Sequence, residues 1–202
     1  MVTKQPVIAA IGNFDGVHLG HLRLIDETTA FARALGAAPG VVLFEPHPRR
    51  YFRPDDPPFL ITTSAQRDRL LRAAGVAEIF PVPFDKALAS MNPDAFVRGV
   101  LKETLGLAGA VAGEDFRFGA GRAGDGGALM KLGEASGLKI KLAKLLSERP
   151  DTEKYGSSAV RDALLRGDVD GAARMLGRPW AVEGEVMEGR KVGRMIGSRR
   201  RT

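Results

Sequence analysis

The sequence predicts an α/β fold in which helices cover both faces of a mostly parallel sheet. Short apolar runs rich in β-branched residues alternate along the chain with segments whose apolar residues recur every three or four positions. This alternation is typical of parallel sheets, because each parallel pair of strands needs a crossover connection. With 202 residues, 44% of them hydrophobic, the chain is long enough to bury a substantial core.

Each element follows from a local pattern. The apolar run 7–11 ends at Gly12, and apolar residues then repeat at helical spacing until Gly36, a residue type that commonly ends helices. Pro93 favours a helix start, because the first turn does not need its missing N–H. Strands are predicted over 7–11, 40–44, 78–82, 107–112, 138–143 and 180–186. Helices are predicted over 19–35, 64–74, 93–105, 127–136, 158–166 and 168–176.

Three loops of this arrangement are expected to lie together. Residues 12–18, 45–50 and 113–122 each follow a predicted strand. The carboxyl ends of parallel strands share one edge of the sheet, and ligands bind outside that edge. The sequence therefore predicts a binding site made from these three loops.

The composition excludes several classes of protein. The chain has no cysteine, so disulfide frameworks, thiolate metal sites and cysteine nucleophiles are excluded, and a cytoplasmic location is expected. No apolar run approaches the length of a membrane span. The formal net charge of +6 comes from residues 190–202, which hold six of the 30 basic residues and no acidic one. We therefore expect neither a nucleic acid nor a membrane as a partner.

The most informative motif follows the first predicted strand and extends over 12–21, with the sequence GNFDGVHLGH. Its glycines permit a tight turn and a close approach of the backbone to a phosphate group. The helix that begins at Leu19 directs its free N–H groups and its positive dipole end to the same place. His18 and His21 lie three residues apart on the first turn, so both imidazoles can face one phosphoryl group. No Gly-Lys-Ser/Thr follows, which excludes a P-loop.

Four segments together resemble one family. The pattern His18-Leu19-Gly20-His21 is similar to the H-x-G-H signature of nucleotidylyltransferases. Further segments at 44–49 (FEPHPR), 113–124 (GEDFRFGAGRAG) and 155–161 (YGSSAVR), followed by LGRP at 176–179, narrow the resemblance to bacterial bifunctional FAD synthetases, which join a riboflavin kinase to an FMN adenylyltransferase. The resemblance extends over 6–197. It implies a Rossmann-like nucleotidylyltransferase domain that transfers AMP from ATP to FMN, giving FAD and pyrophosphate.

The resemblance also implies roles for individual residues. The expected catalytic residues are His18, His21 and Arg161, with the imidazoles on the α-phosphate and the guanidinium on the leaving pyrophosphate. The expected ATP-binding residues are Gly12, Asn13, Phe14, Asp15, Gly20, Ser157 and Ser158. The expected flavin-binding residues are His47, Asp115, Phe116, Arg117, Phe118 and Arg122. Mg²⁺ is expected to arrive with ATP, held mainly by phosphate oxygens and water, and no metal site of the protein itself is predicted.

Two departures from the family pattern are visible. Gly156 stands where the family has a third hydroxyl residue, which predicts weaker ATP binding. After Gly193-Arg194-Met195-Ile196-Gly197 the family continues with Phe-Pro-Thr-Ala-Asn, whereas this chain ends in Ser-Arg-Arg-Arg-Thr. Loss of one nucleotide can convert the first sequence into the second. We therefore expect an adenylyltransferase domain at 1–178, then a truncated start of the kinase domain with an aberrant basic tail at 179–202, and no riboflavin kinase activity.

Two other functions remain open on the sequence alone. One is a related nucleotidylyltransferase with another phosphorylated acceptor, such as a phosphorylated pantetheine or a polyol phosphate. The other is an inactive, truncated remnant that binds nucleotide without turnover. The loop at 115–119 favours a flavin acceptor, and incubation with ATP and each acceptor distinguishes the three.

Overall fold

The computed structural model of the protein describes residues 5–144 and 156–184. Within them five strands form one sheet in the order β3-β2-β1-β4-β5, and every neighbouring pair is parallel. The strands are β1 (Val7–Ile11), β2 (Ala38–Glu45), β3 (Glu78–Pro83), β4 (Gly109–Gly113) and β5 (Lys139–Ala143). The chain changes direction across the sheet between β1 and β4, which is where folds of this kind bind ligands.

Eight helices are described between and after these strands. They are α1 (Leu19–Ala34), α2 (Pro48–Phe52), α3 (Ser64–Ala73), α4 (Lys86–Ala89), α5 (Pro93–Ala95), α6 (Gly126–Ala135), α7 (Ser157–Leu165) and α8 (Val169–Leu176). A π-helix, Phe96–Thr104, continues α5 directly, and a short 3₁₀ turn occupies Ala120–Arg122. The predicted α/β class with helices on both faces is confirmed.

The central strand β1 shows why both faces of the sheet are covered. All five of its residues are buried. Val7, Ala9 and Ile11 join a core cluster with the π-helix and α6, whereas Ile8 and Ala10 face clusters that contain residues of α1 and α3. Successive side chains of a strand point to opposite faces, so a strand covered on both sides is a continuous apolar run. That is the pattern that predicted β1.

The start of β4 differs from the prediction for a reason that the sequence does not display. Leu107 is buried, but its N–H donates to the carbonyl of Leu101 at the end of the preceding helix, so the strand begins only at Gly109. A Cβ at Gly109 would lie 2.2 Å from the carbonyl oxygen of Lys139. The absence of a side chain therefore allows β4 and β5 to pair.

Three further differences concern helices. The predicted helix 93–105 exists, but most of it is the π-helix. The single-turn helices α2 and α4 were not predicted, because a helix of four or five residues has no periodicity to detect. Side chains cap both of them: Nδ1 of His47 accepts from Arg49 N, and Asp85 accepts from Leu88 N.

The segment after α8 departs most from the prediction. Residues 180–184 do not form a strand. Instead, Nε1 of Trp180 donates to the carbonyl of Ile61 at 3.1 Å, and Nε2 of Gln66 donates to the carbonyl of Ala181 at 3.1 Å. The strand predicted over 180–186 is therefore wrong in its described part, and Trp180 has a hydrogen-bond partner. The rest of the predicted kinase fragment and basic tail, from residue 185 onward, lies outside the described residues.

Helices α7 and α8 pack as a pair beside the β1 loop. Their apolar residues form a small cluster with Ile61 from the segment that precedes α3. The cluster consists of Ile61, Val160, Ala163, Ala172 and Leu176. This packing places the start of α7 next to the loop that follows β1.

Candidate active site

The loops after β1, β2 and β4 meet at one edge of the sheet, as predicted. A cavity of about 950 Å³, here named the aromatic cavity, opens between them and is lined by residues from all three loops. A second cavity of about 540 Å³, the α7 cavity, lies between the β1 loop and the start of α7. Asn13 and His47 line both cavities, so the two spaces meet at these side chains.

The backbone of the β1 loop is held in an uncommon conformation. Phe14, Gly16 and Val17 have φ angles of 54°, 84° and 42°. Positive φ is unfavourable for residues other than glycine, above all for a β-branched one such as valine. Phe14 and Val17 are fully buried, and the N–H of Gly16 donates to Oγ1 of Thr62 at 3.1 Å. Tertiary contacts therefore hold a loop that local preference alone would not form, as is common at binding sites.

The two histidines of the motif lie against each other. Their ring centroids are 3.6 Å apart and the rings are nearly parallel. His18 is the N-cap of α1, and its Nδ1 accepts from the backbone N–H of His21 at 3.3 Å. His21 lines the α7 cavity, whereas His18 lies behind it with 5% of its surface exposed. Nδ1 of His21 is buried with no hydrogen-bond partner among the described residues.

Burial controls the charge of both imidazoles. It lowers the pKa of His18 to about 4, with Arg161 and Arg178 adding to the shift and Asp15 opposing it. It also lowers the pKa of His21 well below the ordinary value, and the neighbouring His18 and Arg161 act in the same direction. Both rings are therefore neutral at pH 7, and each has one N–H to donate. Because Nδ1 of His18 is an acceptor, its proton is assigned to Nε2.

Asp15 joins three separate parts of the chain. Its side chain is buried, with 3% exposed. Oδ1 accepts from the backbone N–H groups of Ile61 and Thr62 at 2.9 and 3.2 Å, and Oδ2 lies 2.7 Å from the guanidinium of Arg161. Its backbone carbonyl accepts from the hydroxyl of Ser157 at 2.9 Å. These contacts hold the β1 loop against α7 and against the segment that precedes α3.

The start of α7 supplies polar groups to the α7 cavity. Ser157, Ser158 and Arg161 all line it, together with Gly156, the N-cap. The first N–H groups of a helix lack intrahelical partners and favour anions. The hydroxyl of Ser157 is engaged by Asp15, whereas Ser158 is exposed. Nε of Arg161 donates to the carbonyl of Phe59 at 2.9 Å, so this arginine is anchored on two sides.

All six residues predicted to bind the flavin line the aromatic cavity. Asp115, Arg117 and Arg122 are exposed. Phe116 is half-buried and stacks on Phe118, with ring centroids 5.5 Å apart at 11°. Phe118 belongs mainly to the core, since only 6% of it is exposed. Among the lining residues that the prediction missed are Phe44, Phe52, Phe84, Leu88 and Phe96.

His47 and Asn13 stand where the two cavities meet. His47 caps α2 through Nδ1 and packs edge-on against Phe59, with ring centroids 5.2 Å apart. Burial lowers the pKa of His47 to about 4, so it is neutral at pH 7. Oδ1 of Asn13 is buried and has no hydrogen-bond partner in the part of the chain that the structure describes. It is therefore placed to accept a hydrogen bond from a molecule bound at the junction.

Two of the predicted ATP-binding residues, Phe14 and Gly20, line neither the α7 cavity nor the aromatic cavity. Phe14 is completely buried and lies 5.0 Å from the ring of His21, so it supports that ring from behind. Gly20 occupies the second position of α1, between the two histidines. Gly12 lines the aromatic cavity at the end of β1.

Two kinds of feature are absent from the described residues. They contain no group of three or more histidine, aspartate or glutamate side chains arranged to hold a metal ion. Over 5–144 and 156–184, no helix combines the length and the apolar character that crossing a membrane requires.

A stacked histidine pair at the start of α1 and the serine-bearing start of α7 thus lie beside one cavity, at the switch point of a parallel sheet. A family model described as FAD synthetase matches residues 1–158. The chain belongs to the FAD synthetase family. It spans about three fifths of the length of the curated relatives it matches.

Two such relatives are bifunctional riboflavin kinase/FMN adenylyltransferases. The protein from Pseudomonas fluorescens is 35% identical over 191 residues, which cover 95% of this chain and 60% of that protein. The protein from Escherichia coli strain K12 is 36% identical over 194 residues, which cover 96% and 61%. A crystal structure described as a macrolide-efflux protein from Streptococcus pneumoniae matches with a TM-score of 0.81 and 26% identity, covering 96% of this chain and 62% of that one.

Proposed function

We propose that this chain transfers AMP from ATP to FMN, giving FAD and pyrophosphate. One observation carries the proposal: the α7 cavity, with its histidine and serine residues, meets the aromatic cavity at Asn13 and His47. A triphosphate in the first cavity and a flavin in the second would bring an acceptor phosphate to the α-phosphorus. The names of the curated relatives supply the substrates, and the size and aromatic lining of the larger cavity suit a flavin ring.

The reaction is an in-line displacement. An oxygen of the FMN phosphate forms a bond to the α-phosphorus, and the bond from that phosphorus to the pyrophosphate oxygen breaks. Little covalent assistance is needed, so catalysis depends on positioning and on groups that stabilise the developing negative charge. His21 lines the α7 cavity and donates an N–H to an α-phosphate oxygen. His18 stacks on the ring of His21 and caps the helix that carries it.

The start of α7 holds the departing phosphates. Ser158 and the free N–H groups of the first turn bind the β- and γ-phosphates. Arg161 contributes positive charge from its fixed position between Asp15 and Phe59. Mg²⁺ would enter as part of the ATP complex, held mainly by phosphate oxygens and water. Gly156 at the N-cap keeps a backbone donor but has no hydroxyl for the phosphates.

On the acceptor side the isoalloxazine ring packs against Phe116 and the neighbouring aromatic residues. Asp115 accepts from a polar group of the ring or the ribityl chain. Arg117 and Arg122 are exposed cations at the rim of the aromatic cavity and pair with the FMN phosphate.

The test is a set of parallel incubations of the purified chain with MgATP. The acceptors are FMN, riboflavin, a phosphorylated pantetheine and a polyol phosphate, and both pyrophosphate and the adenylylated product are measured. FAD is expected from FMN alone. Pyrophosphate release with another acceptor and none with FMN would replace the proposal with the related transferase. A folded chain that binds ATP but releases no pyrophosphate with any acceptor would favour the inactive remnant.

A further inference from the structure

Arg178, just after α8, contacts the two residues of the β1 loop that precede His18 and have positive φ. Its guanidinium donates to the carbonyl of Gly16 at 2.6 Å and to that of Val17 at 2.9 Å. A third bond, to the carbonyl of Leu176 at 3.2 Å, ties the same group to the end of α8. Two successive carbonyls of the loop therefore converge on one cation that lies 162 positions along the chain from Gly16.

These two carbonyls belong to residues with positive φ, directly before His18. Val17 is β-branched, so this conformation is unfavourable and surrounding contacts must offset its cost. If either peptide rotated, the N-cap position of His18 and the stack on His21 would move with it. The conformation of this short segment thus determines where the imidazole pair lies.

A second contact fixes the same junction independently. Gly177 ends α8 in a left-handed conformation, and a Cβ there would lie 2.7 Å from Cδ2 of Leu19. The glycine therefore lets the end of α8 press against the residue that follows His18. Positions 177 and 178 together contact the chain on both sides of this histidine.

The chemistry of arginine suits this task. A guanidinium is a rigid fork that donates to two acceptors at once, whereas an ammonium on a flexible stem acts as a point charge. Arg178 is partly buried, and burial lowers its pKa, but a guanidinium stays protonated at any ordinary pH. The two carbonyls therefore have a permanent partner.

We infer that Arg178 is a positioning residue for nucleotidyl transfer: its fork holds the Gly16 and Val17 carbonyls and so sets the histidine pair against the α-phosphate. The inference rests on the proposed function. The α7 residues that hold the phosphates of ATP do not depend on these carbonyls. Loss of the fork should therefore affect transfer more than ATP binding.

The kinetic test compares Arg178→Ala and Arg178→Lys with Arg174→Ala, which removes an exposed arginine from α8. Misplacement of a reacting group by about 1 Å costs up to about 10²-fold in rate. We expect kcat to fall by about 10- to 100-fold in Arg178→Ala and less in Arg178→Lys, with the KM for ATP nearly unchanged. Millimolar guanidinium should restore part of the lost kcat in Arg178→Ala but none in His21→Ala. Arg174→Ala should behave as the wild type.

Two results would overturn the inference: an Arg178→Ala enzyme with wild-type kcat, or a loss of kcat that guanidinium does not rescue while Arg178→Lys is equally impaired. A histidine NMR titration without any acceptor keeps the test separate from the proposed function. The chain has only three histidines, so their ring signals are resolvable. Arg178→Ala should move the His18 signals and raise the pKa of His18, and Arg174→Ala should not. Unmoved His18 signals would also overturn the inference, whether or not FAD is formed.

Discussion

The carboxylate of Asp15 and the guanidinium of Arg161 lie 2.7 Å apart, although 146 positions separate them in the chain. The pair joins the β1 loop to α7, so the two walls of the α7 cavity are fixed relative to each other. Both side chains are largely buried, at 3% and 15% exposed. Arg161 therefore offers its charge to the cavity from a fixed place and does not reach out as a free surface arginine would.

Asp15→Asn tests this connection. The amide keeps one oxygen for the N–H groups of Ile61 and Thr62 but leaves Arg161 without a counter-charge. Removing one partner of a buried pair typically costs about 3–5 kcal/mol. Asp94→Asn, which disrupts the exposed pair with Arg98, should cost less than about 1 kcal/mol.

Urea unfolding of both variants measures the free energies. Equal costs for Asp15→Asn and Asp94→Asn would mean that the buried pair does not hold the two walls together. Arg161→Ala should destabilise the chain as well, since it leaves the carboxylate unpaired. It should also raise the KM for ATP and lower kcat.

The histidine pair yields a kinetic prediction. Replacing His21 with alanine should lower kcat by about 10²-fold or more, because donors to developing charge act mainly in the transition state. Replacing His18 with alanine should have a similar effect, because it removes the ring and the cap that hold His21 in place. The KM for ATP should change little. His47→Ala is the comparison, since His47 caps α2 beside the aromatic cavity: it should raise the KM for FMN and largely preserve kcat. Near-normal kcat in His21→Ala would remove that residue from catalysis.

The local part of this site was predictable from the sequence. The β1 loop combines glycines that follow an apolar run with two histidines one helical turn apart, and each of these signals lies within ten residues. The boundaries of β1, α1 and α3 were predicted within a residue or two for the same reason. The strand pattern also placed the loop 113–122 at the binding edge, and the resemblance to the family added its flavin-binding role. The resemblance added the serines of α7 as well, whose local pattern alone indicates no more than a helix cap.

The rest of the site depends on contacts that no local pattern records. Phe59 packs against His47, and the guanidinium of Arg161 lies 5.3 Å from the centroid of the Phe59 ring. Phe59 nevertheless lies in an irregular, proline-rich loop. Thr62 donates to and accepts from the β1 loop at a separation of 46 positions or more. Arg178 belongs to the segment LGRP that supports the resemblance, but nothing in that pattern indicates its contact with the β1 loop. Only the folded chain brings these groups to the motif.

Substitutions at Phe116 and Phe118 distinguish the contribution of these rings to flavin binding from their contribution to the core. Phe118 is buried in the main cluster, so Phe118→Ala should destabilise the chain by about 3–5 kcal/mol. Phe116 is only half-buried, so Phe116→Ala should cost less stability but raise the KM for FMN while the KM for ATP stays constant. Unfolding curves and the two KM values check both statements. An unchanged KM for FMN in Phe116→Ala would place the flavin elsewhere.

The buried histidines predict that acid destabilises the fold in a defined range. In the unfolded chain a histidine takes up its proton near pH 6.5, whereas in the folded chain His18 does so only near pH 4. Between these values the unfolded state binds more protons, so stability falls as the pH is lowered and levels off below about 4. Each such group contributes up to about 1.4 kcal/mol per pH unit in that range.

His18→Asn isolates this contribution, because asparagine is a good N-cap residue and does not titrate. Carboxylates elsewhere titrate equally in both proteins and cancel in the comparison. The free energy of unfolding of the wild type minus that of His18→Asn should be constant above about pH 6.5 and should decrease steadily towards pH 4. His47→Asn should give the same dependence, since the pKa of His47 is also lowered to about 4. A difference that does not vary with pH would mean that the folded His18 titrates at its ordinary value, and that the imidazole stacked on His21 is protonated rather than neutral below pH 6.5.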